Sequence, residues 1–151
     1  MRPMRAVVQR VKRASVTVHG EVQGAIGVGV VVLLGVEETD SVEDAEWLAG
    51  KVARLRIFDD SAGVMNISLK DIGGEALVVS QFTLHANVRK GNRPSYNRAA
   101  KPDQARSLYE AFVSSLEEQL GRTIATGVFR AVMEVSLVND GPVTILIDSK
   151  E

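Results

Sequence analysis

The chain has 151 residues, 45% of them hydrophobic and 25% charged, with a formal net charge of −1. That is enough for one domain with a real core, in the composition range of globular proteins. There is no cysteine, which excludes disulfides, thiolate metal sites and cysteine nucleophiles and suits a reducing cytosol. Met1 to Arg13 is basic, but Gln9, Arg10 and Lys12 interrupt its apolar residues, so neither a targeting segment nor a membrane span is read there.

Arg5 to Val11 and Ser15 to Val18 read as two β-strands, Val16 and Val18 alternating with polar neighbours. His19-Gly20-Glu21 makes a turn into Val22 to Gly24. Gly27 to Val36 is a nearly continuous Val/Leu run, as expected of a central strand covered on both faces. Asp40 or Ser41 opens a helix. Asp40 and Glu43 have capping-box spacing, and Val42, Ala45, Leu48, Ala49, Val52 and Leu55 recur on one helical face. Solvation explains the carboxylates that gather where this helix begins. Arg56 to Phe58 and Met65 to Leu69 read as short strands around the turn Asp59-Asp60-Ser61-Ala62-Gly63. Gly73-Gly74 breaks the chain before Ala76 to Leu84, a further strand.

His85 to Lys101 has no periodicity and carries Asn87, Gly91, Asn92, Pro94 and Asn97, a loop of the length that tends to carry function. Pro102 suits a first helical turn; Ala105, Leu108, Phe112, Leu116 and Leu120 continue an amphipathic helix, and Gly121 stops it. Arg130 to Val138 alternates as a strand, Asn139-Asp140-Gly141-Pro142 reads as a turn, and Val143 to Ile147 forms the last strand. The fold class is α/β: a single mixed domain over residues 1–151, its strand-rich sheets packed with two main helices.

Charge is segregated along the chain. Arg2, Arg5, Arg10, Lys12 and Arg13 lie in one segment without acids, and Arg89, Lys90, Arg93, Arg98 and Lys101 in another. These segments suit a positive face for a polyanion, or equally a solvated loop and a charged strand edge. The only histidines are His19 and His85; His19 lies in a turn and reads as a surface residue, His85 follows a strand with no evident orienting carboxylate, and no His/Asp/Glu group has metal-ligand spacing. Phosphate-cradling glycine loops are absent. No metal and no cofactor are expected. An enzyme so poor in acid–base side chains needs a labile substrate, or one that brings its own catalytic group. Two segments remain. Ser80-Gln81-Phe82-Thr83-Leu84 on its own is a strand with a polar exit, and Asn139-Asp140-Gly141-Pro142-Val143-Thr144 a turn whose prolyl bond can be cis.

Together these segments resemble the two motifs of the D-aminoacyl-tRNA deacylase family. Gln9-Arg10-Val11, Leu55-Arg56-Ile57-Phe58, Arg93-Pro94-Ser95 and Met133-Glu134-Val135-Ser136-Leu137-Val138 resemble family sequence in the same order, over essentially the whole chain. The resemblance implies a cytoplasmic homodimer with its active site at the subunit interface and no membrane association. Its substrate would be aminoacyl-tRNA, with D-aminoacyl esters and misattached glycine hydrolysed and L-amino acids refused. Gly141 and Pro142 are similar to the family's Gly-cis-Pro element, whose carbonyls would enter the neighbouring site and receive the substrate α-amino group. Ser80, Gln81, Phe82 and Thr83 would form the catalytic site, with the backbone N–H groups of Phe82 and Thr83 facing the oxyanion. The vicinal hydroxyl of the terminal adenosine would help activate water; a nucleophilic Thr83 ranks second. Gln81, Phe82 and Met133 would bind that adenosine, Arg10 would buttress the Gly-Pro element, and Arg89, Lys90, Arg93 and Arg98 would lie near acceptor-stem phosphates. Arg130 and Val132 depart from the family, which has small residues after Phe129 and often a polar one before the methionine. Two other readings stand beside this one: a non-catalytic tRNA- or RNA-binding module, and an editing enzyme relaxed towards small L-amino acids if the Gly-Pro bond is trans.

Overall fold

One strand of 14 residues, β1 (Arg5–Val18), carries the rest of the sheet. The computed structural model describes residues 3–149. After β1 come β2 (Glu21–Ile26), β3 (Gly29–Gly35), helix α1 (Val42–Arg54), β4 (Phe58–Asp59), β5 (Met65–Ile67) and the short helix α2 (Leu69–Ile72). They are followed by β6 (Glu75–Ser80), a 3-10 turn (Phe82–His85), α3 (Pro102–Leu120), β7 (Ala125–Thr126) and β8 (Glu134–Asp148). The main sheet runs β2-β1-β3-β6-β7, and β8 lies against the other side of β1. The β3–β6 and β6–β7 pairs are parallel; every pair that includes β1 is antiparallel.

The sheet nearly closes on itself. A Cβ added at Gly24 in β2 would lie 3.2 Å from the Ala125 side chain of β7, so glycine there lets the two ends of the strand order approach closely. Val30, Val32 and Leu34 of β3 face a core built with α1 and α3, including Leu48, Phe112 and Leu116. Val31 faces a second, smaller core with Val11, Val16 and Leu77. The Val/Leu run of β3 is therefore a strand covered on both faces, and α1 and α3 present the faces that their spacing predicts.

Several elements differ from the sequence expectation. Arg5 to Val18 is one strand, not two. Its buried positions shift phase from Ala6, Val8 and Arg10 to Val11, Ala14 and Val16, with Lys12 and Arg13 exposed between them. The pairing with β8 shifts register at that point, as at a β-bulge, and this breaks the alternation seen in the sequence. The cap of α1 is Ser41 with Asp44, not Asp40 with Glu43: the Ser41 N–H and hydroxyl donate to Asp44 Oδ2 at 2.8 and 3.2 Å. Asp40 instead accepts the Glu37 N–H at 2.7 Å, and the Glu37 carboxylate accepts from the Thr39 N–H and hydroxyl. Glu37, Asp40 and Asp44 are buried, so solvation does not account for them: their charge is met by donors of the β3–α1 connection. The first short strand begins at Phe58 rather than Arg56, the second ends at Ile67, and Leu69 already belongs to α2. The two-residue strand β7 is too short to leave a sequence pattern.

Tyr109 locks α3 to the sheet by donating its hydroxyl to the Val78 carbonyl at 3.0 Å. Burial pushes its phenol up to about 12, against a lowering by the hydrogen bond with Thr126. The native state thus holds this proton more tightly than the unfolded chain. The associated stability is complete below pH 10, the ordinary value, and is lost as pH rises through about 12. In urea unfolding at pH 7, Tyr109→Phe is expected to cost about 1 kcal/mol; by about pH 11 (midway between the two values) the gap to the native chain should have closed, and a constant gap would contradict this.

Candidate active site

β6 ends where its neighbour β3 ends, the last rung being the Gln81 N–H to the Leu34 carbonyl at 2.8 Å. The chain then turns at Phe82–His85, so the strand expected to reach Leu84 stops at Ser80. This turn walls one side of an open cavity of roughly 530 Å³, lined there by Ser80, Gln81 and Phe82. Tyr96, Ala99 and Ala100 come from the basic loop, and Phe129, Arg130, Ala131 and Met133 from the segment ahead of β8. Phe82 is exposed and meets the Tyr96 ring edge-on, with centroids 5.0 Å apart. Met133 reaches the cavity across Gly127, where a Cβ would lie 2.6 Å from its sulfur.

The turn leaves donors at the cavity wall. Among the described residues, the backbone N–H groups of Phe82 and Thr83 meet no acceptor, while Leu84 and Ala86 donate back to Gln81 and Thr83. Gln81 Nε2 donates to the Thr83 hydroxyl at 2.5 Å; no carboxylate or imidazole of the described residues engages that hydroxyl. His85, at the end of the turn, is fully buried, with neither ring nitrogen partnered among the described residues. It packs against Gly35 and is out of reach of a substrate. Among the described residues no three His, Asp or Glu side chains converge to hold a metal ion.

Asn139 to Pro142 is not a turn between two strands. Asn139 pairs with Val11 and Thr144 with Gln9, so β8 runs on in one direction and bulges outward, Asp140 to Val143 standing opposite the single residue Arg10. Asn139 clasps the base of this bulge: Val143 N–H donates to its Oδ1 at 2.7 Å, and its Nδ2 donates to the Val143 carbonyl and the Thr144 hydroxyl, each at 3.2 Å. Arg10 clasps it from beneath. Its Nε donates to the Asp140 carbonyl and its Nη1 to the Ile57 carbonyl, both at 2.8 Å, and Asp59 lies 3.4 Å away. Gly141 and Pro142 are exposed at the tip, joined by a cis peptide. Gly141 has φ +138°, and a Cβ there would lie 2.8 Å from Val143 Cγ2 and 3.0 Å from Arg10 Nη2, so only glycine fits.

The expected site residues therefore fall into two groups. Ser80, Gln81, Phe82 and Met133 share the cavity, with Thr83 beside it; Arg10, Gly141 and Pro142 form the braced bulge and do not line that cavity. Arg89, Lys90, Arg93 and Arg98 are exposed on the loop that supplies Tyr96. The N-terminal basic segment divides: Lys12 and Arg13 are exposed, Arg2 lies outside the described residues, and the other two cations are engaged internally. Arg10 is buried, and Arg5 binds Asp148 through two hydrogen bonds at 2.7 and 3.0 Å. Tyr96 and the clasp made by Asn139 escape the sequence reading, although Asn139 lies within the second motif. A lone aromatic in a basic loop is the signal that could have found Tyr96, whereas Asn139 has the character of an ordinary turn residue.

Arg130 stands out in its backbone. It has φ +66° in the turn closed by the Ala131 N–H and the Val128 carbonyl at 3.1 Å. A left-handed conformation costs a residue with a side chain about 1 kcal/mol, and Arg has no short polar group to recover it locally. None of the described residues, acidic or otherwise, bonds its guanidinium.

The chain resembles known proteins over nearly its full length. A family model described as D-Tyr-tRNA(Tyr) deacylase matches residues 7–148. A protein of Chromobacterium violaceum named D-aminoacyl-tRNA deacylase is 60% identical over 147 residues, 97% of this chain and 98% of that protein. One of the same name from Flavobacterium johnsoniae is 56% identical over the same shares. Among solved structures, one titled c-Myc DNA Unwinding Element Binding Protein superposes with a TM-score of 0.92 at 44% identity, covering 98% of this chain and 100% of that one. A probable eukaryotic D-amino acid tRNA deacylase has the same fold, with a TM-score of 0.84 at 17% identity over 96% and 98%. By sequence over nearly its full length, the chain belongs to the D-Tyr-tRNA(Tyr) deacylase family.

Proposed function

We propose that this chain hydrolyses the ester of D-aminoacyl-tRNA, releasing the D-amino acid and tRNA, and that it does so as a homodimer in the cytosol. The observation that carries the reading is the separation of the two family motifs. The Gly141–Pro142 tip is braced, exposed and turned out of its own protomer's cavity, as a part that completes a neighbour's site would be. The outer edge of β8 supports the dimer. β8 pairs only with β1 among the described residues, and its surroundings expose Val132, Val135, Val138 and Leu146, a long apolar edge that a second copy would cover.

In that assembly the terminal adenosine enters the cavity between Phe82, Tyr96 and Met133, and the Phe82 and Thr83 N–H groups meet the developing oxyanion. The carbonyls of the partner's Gly141 and Pro142 receive the α-amino group. A D-residue then points its side chain away from them, and an L-residue would drive its side chain into them; glycine, having none, passes. No side chain here serves as a general base, so the vicinal 2′-hydroxyl of the substrate assists the water. A positioned neighbouring group supplies an effective molarity on the order of 10⁵ M. A second reading, a nucleic-acid binder without activity, draws on the basic loop and on the DNA-binding title of the 44% identical structure.

Hydrolysis of matched D-Tyr-tRNA, L-Tyr-tRNA and Gly-tRNA without added metal separates these readings. Loss of the D and glycyl esters with the L ester spared is expected. Loss of both tyrosyl esters would discard the carbonyl gate, and binding of tRNA with no hydrolysis would leave the binder. Arg10→Lys keeps the charge but loses the planar fork that spans Asp140 and Ile57. It should cost about 2 kcal/mol in urea unfolding and lower the D-to-L rate ratio; unchanged selectivity in this variant would contradict the bracing role.

A further inference from the structure

Arg130 occupies a backbone conformation that glycine would adopt without strain, and it does so on the wall of the cavity. Its side chain is exposed and gives none of its five donors to the described residues. Strain held at a cavity lip with no internal partner points to an external one. Tyr96 lines the same cavity and belongs to the segment that carries the exposed Arg93 and Arg98. A polyanionic chain bound in the cavity thus meets one cation in its lining and has several more on the loop that supplies Tyr96. The chemistry that suits a planar, permanently charged fork at such a point is a phosphodiester.

We propose that Arg130 binds the phosphodiester linking the terminal nucleoside in the cavity to the rest of the RNA, and so sets the position of the 3′ end. This rests on the reading of aminoacyl-tRNA as substrate. It makes Arg130 a positioning residue: it holds the strand and does not touch the ester.

The test compares the native chain with Arg130→Gln and Arg130→Gly on two substrates, D-Tyr-tRNA and the D-tyrosyl ester of adenosine, which has no phosphate. On the tRNA, each variant should lose about five- to tenfold in kcat/KM, carried by KM. The negative slope of log(kcat/KM) against log salt should become shallower by about 0.7, the share of one single-stranded phosphate contact. On the adenosine ester the loss should stay under about twofold. Arg130→Gly should also raise the urea midpoint, which shows that its loss of binding is not a loss of folding. Equal losses on both substrates, no loss on either, or an unchanged salt slope would overturn the proposal. If the native chain hydrolyses neither substrate, the proposed function fails by itself. Titration of uncharged tRNA then still decides on Arg130: a Kd weakened about five- to tenfold by Arg130→Gln supports it, and an unchanged Kd overturns it.

Discussion

Arg10 sits at the middle of β1, where one residue of that strand faces four of β8. A gap of that kind inside a sheet would leave the buried Ile57 carbonyl without a donor, at about 1–3 kcal/mol, and the part-buried Asp140 carbonyl without its brace. The guanidinium fills the gap and serves both, 2.8 Å from each. Its own burial is tolerable only because fixed backbone acceptors surround it, with Asp59 and Asp140 near enough to offset the charge. Three stretches of chain are held by one side chain: the long central strand, the exit from α1, and the bulge that carries Gly141 and Pro142. Asn139 completes the clasp from the other side.

The same reliance on main-chain groups marks the cavity. Its candidate oxyanion donors are backbone N–H groups exposed by a change from strand to 3-10 turn, and the proposed chiral filter is a pair of backbone carbonyls. Backbone groups have no rotamers to lose, so their positions are as firm as the strands that hold them. Here those strands are β6, buried within the sheet, and β8 at the Arg10 brace. A site made this way has little acid–base power of its own, which is why the proposed mechanism has the substrate assist its own hydrolysis.

Much of the frame was legible from residue patterns, because burial imposes periods. The Val/Leu run of β3 and the spaced apolar residues of α1 and α3 each have one packing solution. What was not legible depends on register. Asn139-Asp140-Gly141-Pro142 has the composition of a tight turn, and nothing local reveals that both flanks pair with the same strand. Phe82 and Leu84 extend the apolar alternation of β6 beyond the point where β3 can still offer a partner. Arg10 and Glu37 have the character of surface charges, since the carbonyls and N–H groups that satisfy them lie elsewhere in the chain or belong to a turn. The bracing of Gly141 by Arg10 was accessible through resemblance to a family alone. The cavity itself is assembled from three separate segments, none of them distinctive without the others.

The central claim is that the braced tip of one protomer completes the cavity of another. It is tested most directly by pairing two disabled chains, Gly141→Leu, with an obstructed tip, and Ala131→Trp, with a filled cavity. Each homodimer should be nearly inactive on D-Tyr-tRNA. A heterodimer isolated through two tags would unite one open cavity with one intact tip, and should recover roughly half the native dimer's rate, one working site of two. A folded heterodimer as inactive as its parents would mean that the tip acts within its own chain or not at all.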